Sequence, residues 1–152
     1  MIEPYATIVN SFLNGFSKIG FSKSQESDYS VIFSNGKNSV EIATEKYYHP
    51  SLTARLVDST GKKFSVKIVR EILAPDQLGK DFSELDVIKK HYHLDDVGAD
   101  AIMRNQGIAA YVVLTIEQLL DFLSSYEKEL FSGSYESEYA TREMAALKNI
   151  GL

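Results

Sequence analysis

The sequence predicts an α+β domain, and three observations predict it. Apolar residues recur at a period of two around turn residues in the first half, they recur at helical spacing in the second half, and the two patterns do not alternate. Strands followed by helices are the order expected where helices cover one face of an antiparallel sheet. With 152 residues, 44% hydrophobic and 24% charged, and no linker, repeat or low-complexity tract, the chain reads as one globular domain over 1–152.

Ile8, Val9, Phe12 and Leu13 fall at helical spacing within 3–14 and Gly15 offers a stop, which predicts an N-terminal helix. Residues 16–27 predict a connection or a short irregular strand with Ile19 and Phe21 turned inward. Tyr29, Val31 and Phe33 alternate, Asn35-Gly36 supplies a hairpin turn, and Val40 and Ile42 resume the alternation. Leu52, Ala54 and Leu56 form a second pair with Phe64, Val66 and Ile68 around Ser59-Thr60-Gly61-Lys62. The expectation is a four-stranded antiparallel meander. Its other face carries Glu41, Glu45, Thr53, Arg55, Lys63, Ser65 and Lys67, the composition of a wet surface with cross-strand ion pairs.

Beyond Pro75 the period changes. Ser83-Glu84-Leu85-Asp86 resembles a helix start, with Leu85, Ile88 and Tyr92 following, and Asp95 or Asp96 caps a further helix to about Arg104. Ile108–Leu114 suits a buried helix or a strand, and periodicity leaves that choice open. Thr115-Ile116-Glu117-Gln118 matches a capping box ahead of the stripe Ile116, Leu119, Leu120, Leu123 and Leu130. Ser132-Gly133-Ser134 breaks that helix, and Ala140, Met144 and Leu147 describe a last one ending near Gly151. Three to four helices are thus expected to pack on one face of the sheet.

Composition excludes several function classes. With no cysteine, disulfides, thiolate metal sites and a cysteine nucleophile are ruled out, and a reducing, cytoplasmic setting is expected. The apolar run Ile108–Leu114 is far shorter than the ~20 residues of a membrane span. Met1-Ile2-Glu3-Pro4 shows no basic region ahead of an apolar run, so no secretory signal is readable. A net charge of -5 argues against a nucleic-acid partner. That charge is lopsided: Glu117, Asp121, Glu127, Glu129, Glu136, Glu138 and Glu143 face only Lys128 and Arg142, whereas Arg55, Lys62, Lys63, Lys67 and Arg70 face only Asp58. An acidic C-terminal surface steers a basic protein, or is simply a solvated helix face.

His91-Tyr92-His93 is the cluster with metal-ligand residue types, but its helical surroundings turn residues two apart by ~200° from one another, so no metal site is expected. Tyr47-Tyr48-His49-Pro50 joins the hairpins and suits a protein contact. Catalysis there requires His49, Ser51 and Glu45 to converge, without a Gly-x-Ser-x-Gly elbow to help them. The carboxylate pairs Glu41/Glu45 and Asp95/Asp96 serve as acid and base only if burial separates their pKa values. Gly15, Gly20 and Gly36 fit no phosphate loop, and no cofactor is expected. Tyr126, Tyr135 and Tyr139 stand among Glu127, Glu129, Glu136, Glu138 and Glu143. They are either aromatic anchors of a binding surface or rings that close the core.

In layout the N-terminal helix, the Tyr29–Glu45 hairpin, the Tyr47–Pro50 connection, the second hairpin and the acidic helical tail resemble small bacterial immunity proteins of polymorphic toxin systems. That resemblance implies a cytoplasmic, non-enzymatic protein that neutralises a toxin by covering an essential surface. A nuclease toxin must be basic to hold phosphates, so an acidic patch around aromatic anchors gives its inhibitor both rate and specificity. The expected contact residues are Tyr126, Glu127, Tyr135, Glu136, Glu138 and Tyr139, with Tyr47, Tyr48 and His49, and the expected partner is a protein rather than nucleic acid or membrane. The alternative is a secretion-type chaperone, usually dimeric, that binds a client along a sheet edge or groove. A third reading is a small hydrolase using His49 or the His91/His93 pair.

Overall fold

A computed structural model describes residues 1–46, 51–75 and 107–149. In them the chain runs α1 (Tyr5–Ser11), α2 (Leu13–Lys18), β1 (Ser22–Glu26), β2 (Ser30–Ser34), β3 (Ser39–Ala43), β4 (Thr53–Val57), β5 (Lys63–Ser65), α3 (Val66–Leu73), α4 (Gly107–Ser125) and α5 (Glu136–Asn149). The fold is α+β, and its antiparallel sheet has five strands in the order β1-β2-β3-β4-β5. None of the described helices is long and apolar enough to cross a membrane.

Period-two alternation becomes a dry face through the register. Phe33 lies opposite Val40, Val40 opposite Leu56, and Leu56 opposite Phe64, so four strands place one apolar row side by side. A second row joins Val31, Ile42 and Ala54. Phe16 of α2 stacks on Phe33 with ring centroids 3.9 Å apart, and Val9, Val69, Val112, Ile116 and Leu119 from α1, α3 and α4 complete the same core. Each such side chain contributes roughly 1.5–3 kcal/mol when fully buried. On the other face Ile32, Glu41, Arg55 and Ser65 form a cross-strand row, and Lys63 reaches Glu41 at 3.5 Å, as expected of a wet surface.

Several expectations are corrected. The meander has five strands rather than four, because Ser22–Glu26, within the stretch read as a connection or a short irregular strand, adds an exposed edge strand. The last strand ends at Ser65, and Val66–Ile68 opens α3 instead, since Val66 and Val69 share one helical face and are both buried. The N-terminal helix divides at Phe12, and Gly15 sits inside α2 rather than ending it. A Cβ on Gly15 would lie 2.9 Å from Leu120 Cδ1, so glycine there leaves room for the end of the Leu120 side chain. Residues 108–114 are helical, and Thr115 is interior to α4, its hydroxyl donating to the Tyr111 carbonyl at 2.7 Å instead of capping. The helices expected over 83–93 and 95–104, and the Tyr47–Pro50 connection, lie outside the described residues.

Candidate surface at the turn end of the sheet

Three connections meet at one end of the sheet, and each is braced by its own polar side chains. In the β2–β3 turn Gly36 takes φ 92° at the first central position, the conformation a II′-type hairpin requires. Asn35 therefore stands one place earlier than an Asn-Gly centre implies. Its Oδ1 accepts from the Lys37 N–H at 3.0 Å and the Asn38 N–H at 2.7 Å. In the β4–β5 turn the Asp58 carboxylate accepts from the backbone of Thr60 and Lys62, each at 2.9 Å, and from the Thr60 hydroxyl at 2.6 Å. The Thr60 hydroxyl, first among these donors, holds the Asp58 carboxyl below its ordinary pKa. The α4–α5 connection is pinned by Tyr135, whose hydroxyl donates to the Leu130 carbonyl.

Two hollows open between these connections, of about 170 and 210 Å3, sharing Asn38, Leu130 and Phe131 as a common wall. Phe21, Leu123 and Glu127 complete much of the first, and Lys37, Asp58 and Glu136 give the second its charge. Glu127 is exposed. Phe131 is half-buried, its ring centroid 6.3 Å from that of Phe21. Asn38 shares the inner-face parity of Val40 two residues later, which drives it under the turn, where it is only 9% exposed.

The predicted contact residues divide into three groups. Tyr135 and Tyr139 are buried and present no ring to solvent. Both stand edge-on to Phe64, at 5.4 and 5.0 Å, and the Tyr139 hydroxyl accepts the Ser65 N–H at 2.7 Å. Burial pushes the Tyr135 hydroxyl pKa up to about 12 and raises that of Tyr139 in the same sense. Thus they close the core, as the second of their two readings has it. Glu136 and Glu138 are partly spent within the chain, on Lys62 at 3.5 Å and Arg142 at 3.0 Å. Tyr126 is half-buried beside Phe122, ring centroids 5.1 Å apart, whereas Glu127 is exposed and forms no ion pair among the described residues. Tyr47, Tyr48 and His49 lie outside the described residues.

Sequence reasoning missed Asn38, Phe131 and Phe21 as site residues. The signal for Asn38 was present: continuing the Val40 parity back by two places makes it an inward polar residue at a hairpin end.

A third crevice, about 260 Å3, lies under the other end of the sheet between Ile42, Ala54, Val66 and Leu119. Its polar groups include Arg70 and Gln118, and the Arg70 guanidinium sits 5.3 Å over the Phe122 ring. Among the described residues it is lined by no carboxylate or imidazole, so it offers no acid–base pair. Nor does any group of three or more His, Asp or Glu side chains among them gather as metal ligands. His49, His91 and His93 lie outside the described residues. No protein-family model matches the chain, and no match was found among curated proteins or solved structures.

Proposed function

We propose that this protein is a non-catalytic binding protein, of the immunity type, that occludes a basic protein partner with the turn end of its sheet and the adjoining end of α4. The observation that carries this reading is the state of the acids there. Asp121, Glu127 and Glu129 are exposed and form no ion pair among the described residues, whereas Glu136 and Glu138 are partly spent on Lys62 and Arg142. Unpaired surface charge adds little to stability and acts mainly on encounter with a charged partner. The anchors are shifted from the expectation: the half-buried rings of Tyr126 and Phe131 flank the acids, in place of Tyr135 and Tyr139.

The chaperone reading would use the free edge of β1. That strand is open to solvent, but a register shift between Lys23 and Gln25 and its charged side chains blunt it against strand addition. Occlusion is therefore the better-supported reading. Affinity capture of the tagged protein from its native host, with mass spectrometry, tests it. A stoichiometric basic companion is expected, with an association rate that falls about tenfold at low salt in the Asp121→Lys/Glu129→Lys variant. An absent companion, or an unchanged rate, overturns the reading.

A further inference from the structure

We infer that the first hollow, walled by Asn38, Glu127 and Phe131, is a receptor for one arginine side chain of the partner. This rests on the reading that the protein acts by binding another protein. Asn38 is 9% exposed, and its side-chain amide makes no hydrogen bond within the described residues, although its backbone is fully engaged in the turn. The adjacent Asn35 is the contrast: its amide oxygen is spent on two backbone donors. The Asn38 amide atoms are not sealed from solvent, and with no partner among the described residues they are open to a ligand entering the hollow.

The remaining walls identify that ligand. Glu127 gives the hollow a single acid and there is no base among its described lining, so the occupant is cationic. At about 170 Å3 it is smaller than the roughly 300 Å3 at which cofactor and metabolite pockets begin, so the occupant is one side chain. Phe21, Leu123 and Phe131 supply apolar and aromatic wall for a methylene stem and a flat cation. A planar guanidinium divides its donors between an amide oxygen and a carboxylate while lying on a ring. A lysine ammonium, more strongly hydrated and without a plane, gains less. The second hollow sets Lys37 against Asp58 and Glu136, so its wall is of mixed charge.

The test uses the full isotope-labelled chain, titrated with Nα-acetyl-L-arginine methylamide and with its citrulline and lysine counterparts, and followed by NMR. The arginine compound is expected to shift the Asn38 side-chain amide and the Phe131 ring saturably in the millimolar range. The other two compounds should bind about tenfold more weakly or worse, and Glu127→Gln should weaken the arginine compound by a similar factor at unchanged melting temperature. Absence of a saturable shift at Asn38, equal binding of the citrulline or lysine compound, or indifference to Glu127→Gln overturns the inference. The two proposals fail separately. A partner complex that ignores Glu127→Gln, with no probe binding, sinks the receptor alone, whereas probe binding without any stoichiometric companion sinks the occlusion reading alone.

Discussion

Helices α4 and α5 carry similar apolar spacing and meet opposite fates. α4 sinks Val112, Ile116, Leu119, Phe122 and Leu123 into the core, whereas α5 leaves Met144 and Leu147 59% and 42% exposed. The reason is that α5 holds two stripes at the same spacing: Ala140, Met144 and Leu147 on one face, and Tyr139 and Arg142, continued backward by Tyr135, on another. The aromatic stripe takes the protein side. Two rings pack edge-on to Phe64, one hydroxyl satisfies the Leu130 carbonyl and the other accepts the Ser65 N–H. Arg142 adds contacts to Glu138 at 3.0 Å and Glu71 at 3.9 Å. Apolar period says that a helix has a face to bury; the polar groups awaiting partners on the sheet decide which face that is.

The comparison breaks most readily at α4. Phe122→Ala removes a buried ring and the surface over which Arg70 sits, and is expected to cost about 3–5 kcal/mol by urea unfolding. A cost near zero would mean that α4 is not the core helix. Tyr139→Phe keeps the ring but leaves the Ser65 N–H without its acceptor, with an expected loss of about 1–3 kcal/mol; no loss would mean that the hydroxyl does not anchor α5.

A pH series isolates the other hydroxyl. Tyr135 holds its proton longer in the folded chain than the ordinary tyrosine value of 10.0, up to about 12. Its contribution is therefore complete below pH 10 and is lost as pH rises toward 12, because the folded state then binds more protons than the unfolded one. Unfolding curves across that window should fall less steeply for Tyr135→Phe than for the native chain, and parallel curves would contradict the buried placement. The smallest effect is expected on the outer face of α5: Met144→Lys with Leu147→Lys should shift stability by no more than about 0.5 kcal/mol. A large loss there would show that this stripe, too, is covered.

Much of the fold was legible. The Tyr29–Ile42 hairpin, the return through Leu52–Leu56, the Ile116–Leu123 part of α4 and helix α5 follow from period and turn chemistry. The pattern leaves 108–114 open between helix and strand, and α4 stops at Ser125 rather than running on to Leu130. Val66–Ile68 misled because β-branched residues at a period of two also satisfy a helical face when Val69 follows. Thr115 misled because a capping sequence inside a continuing helix simply bonds back to the preceding turn. β1 was legible only as one of two options for 16–27, a connection or a short irregular strand, since an exposed edge strand of Ser, Lys, Gln and Glu buries nothing and forms on the ladder that β2 offers. Of the candidate site, the acids Glu127 and Glu129 were legible as charge, but which acids stay unpaired depends on the neighbours that folding provides.

The sequence by itself determined the α+β class, the inward row Phe33, Val40, Leu56 and Phe64, and the acidic C-terminal segment, because period and net charge are properties of the chain. Only the tertiary structure decided that Tyr135 and Tyr139 close the core, that among the described residues Glu136 is paired and Glu127 is not, and that Asn38 lies under a turn with its amide uncommitted there. Burial and pairing are relations between residues far apart in sequence, and no local pattern encodes which distant donor, acceptor or ring a side chain will meet.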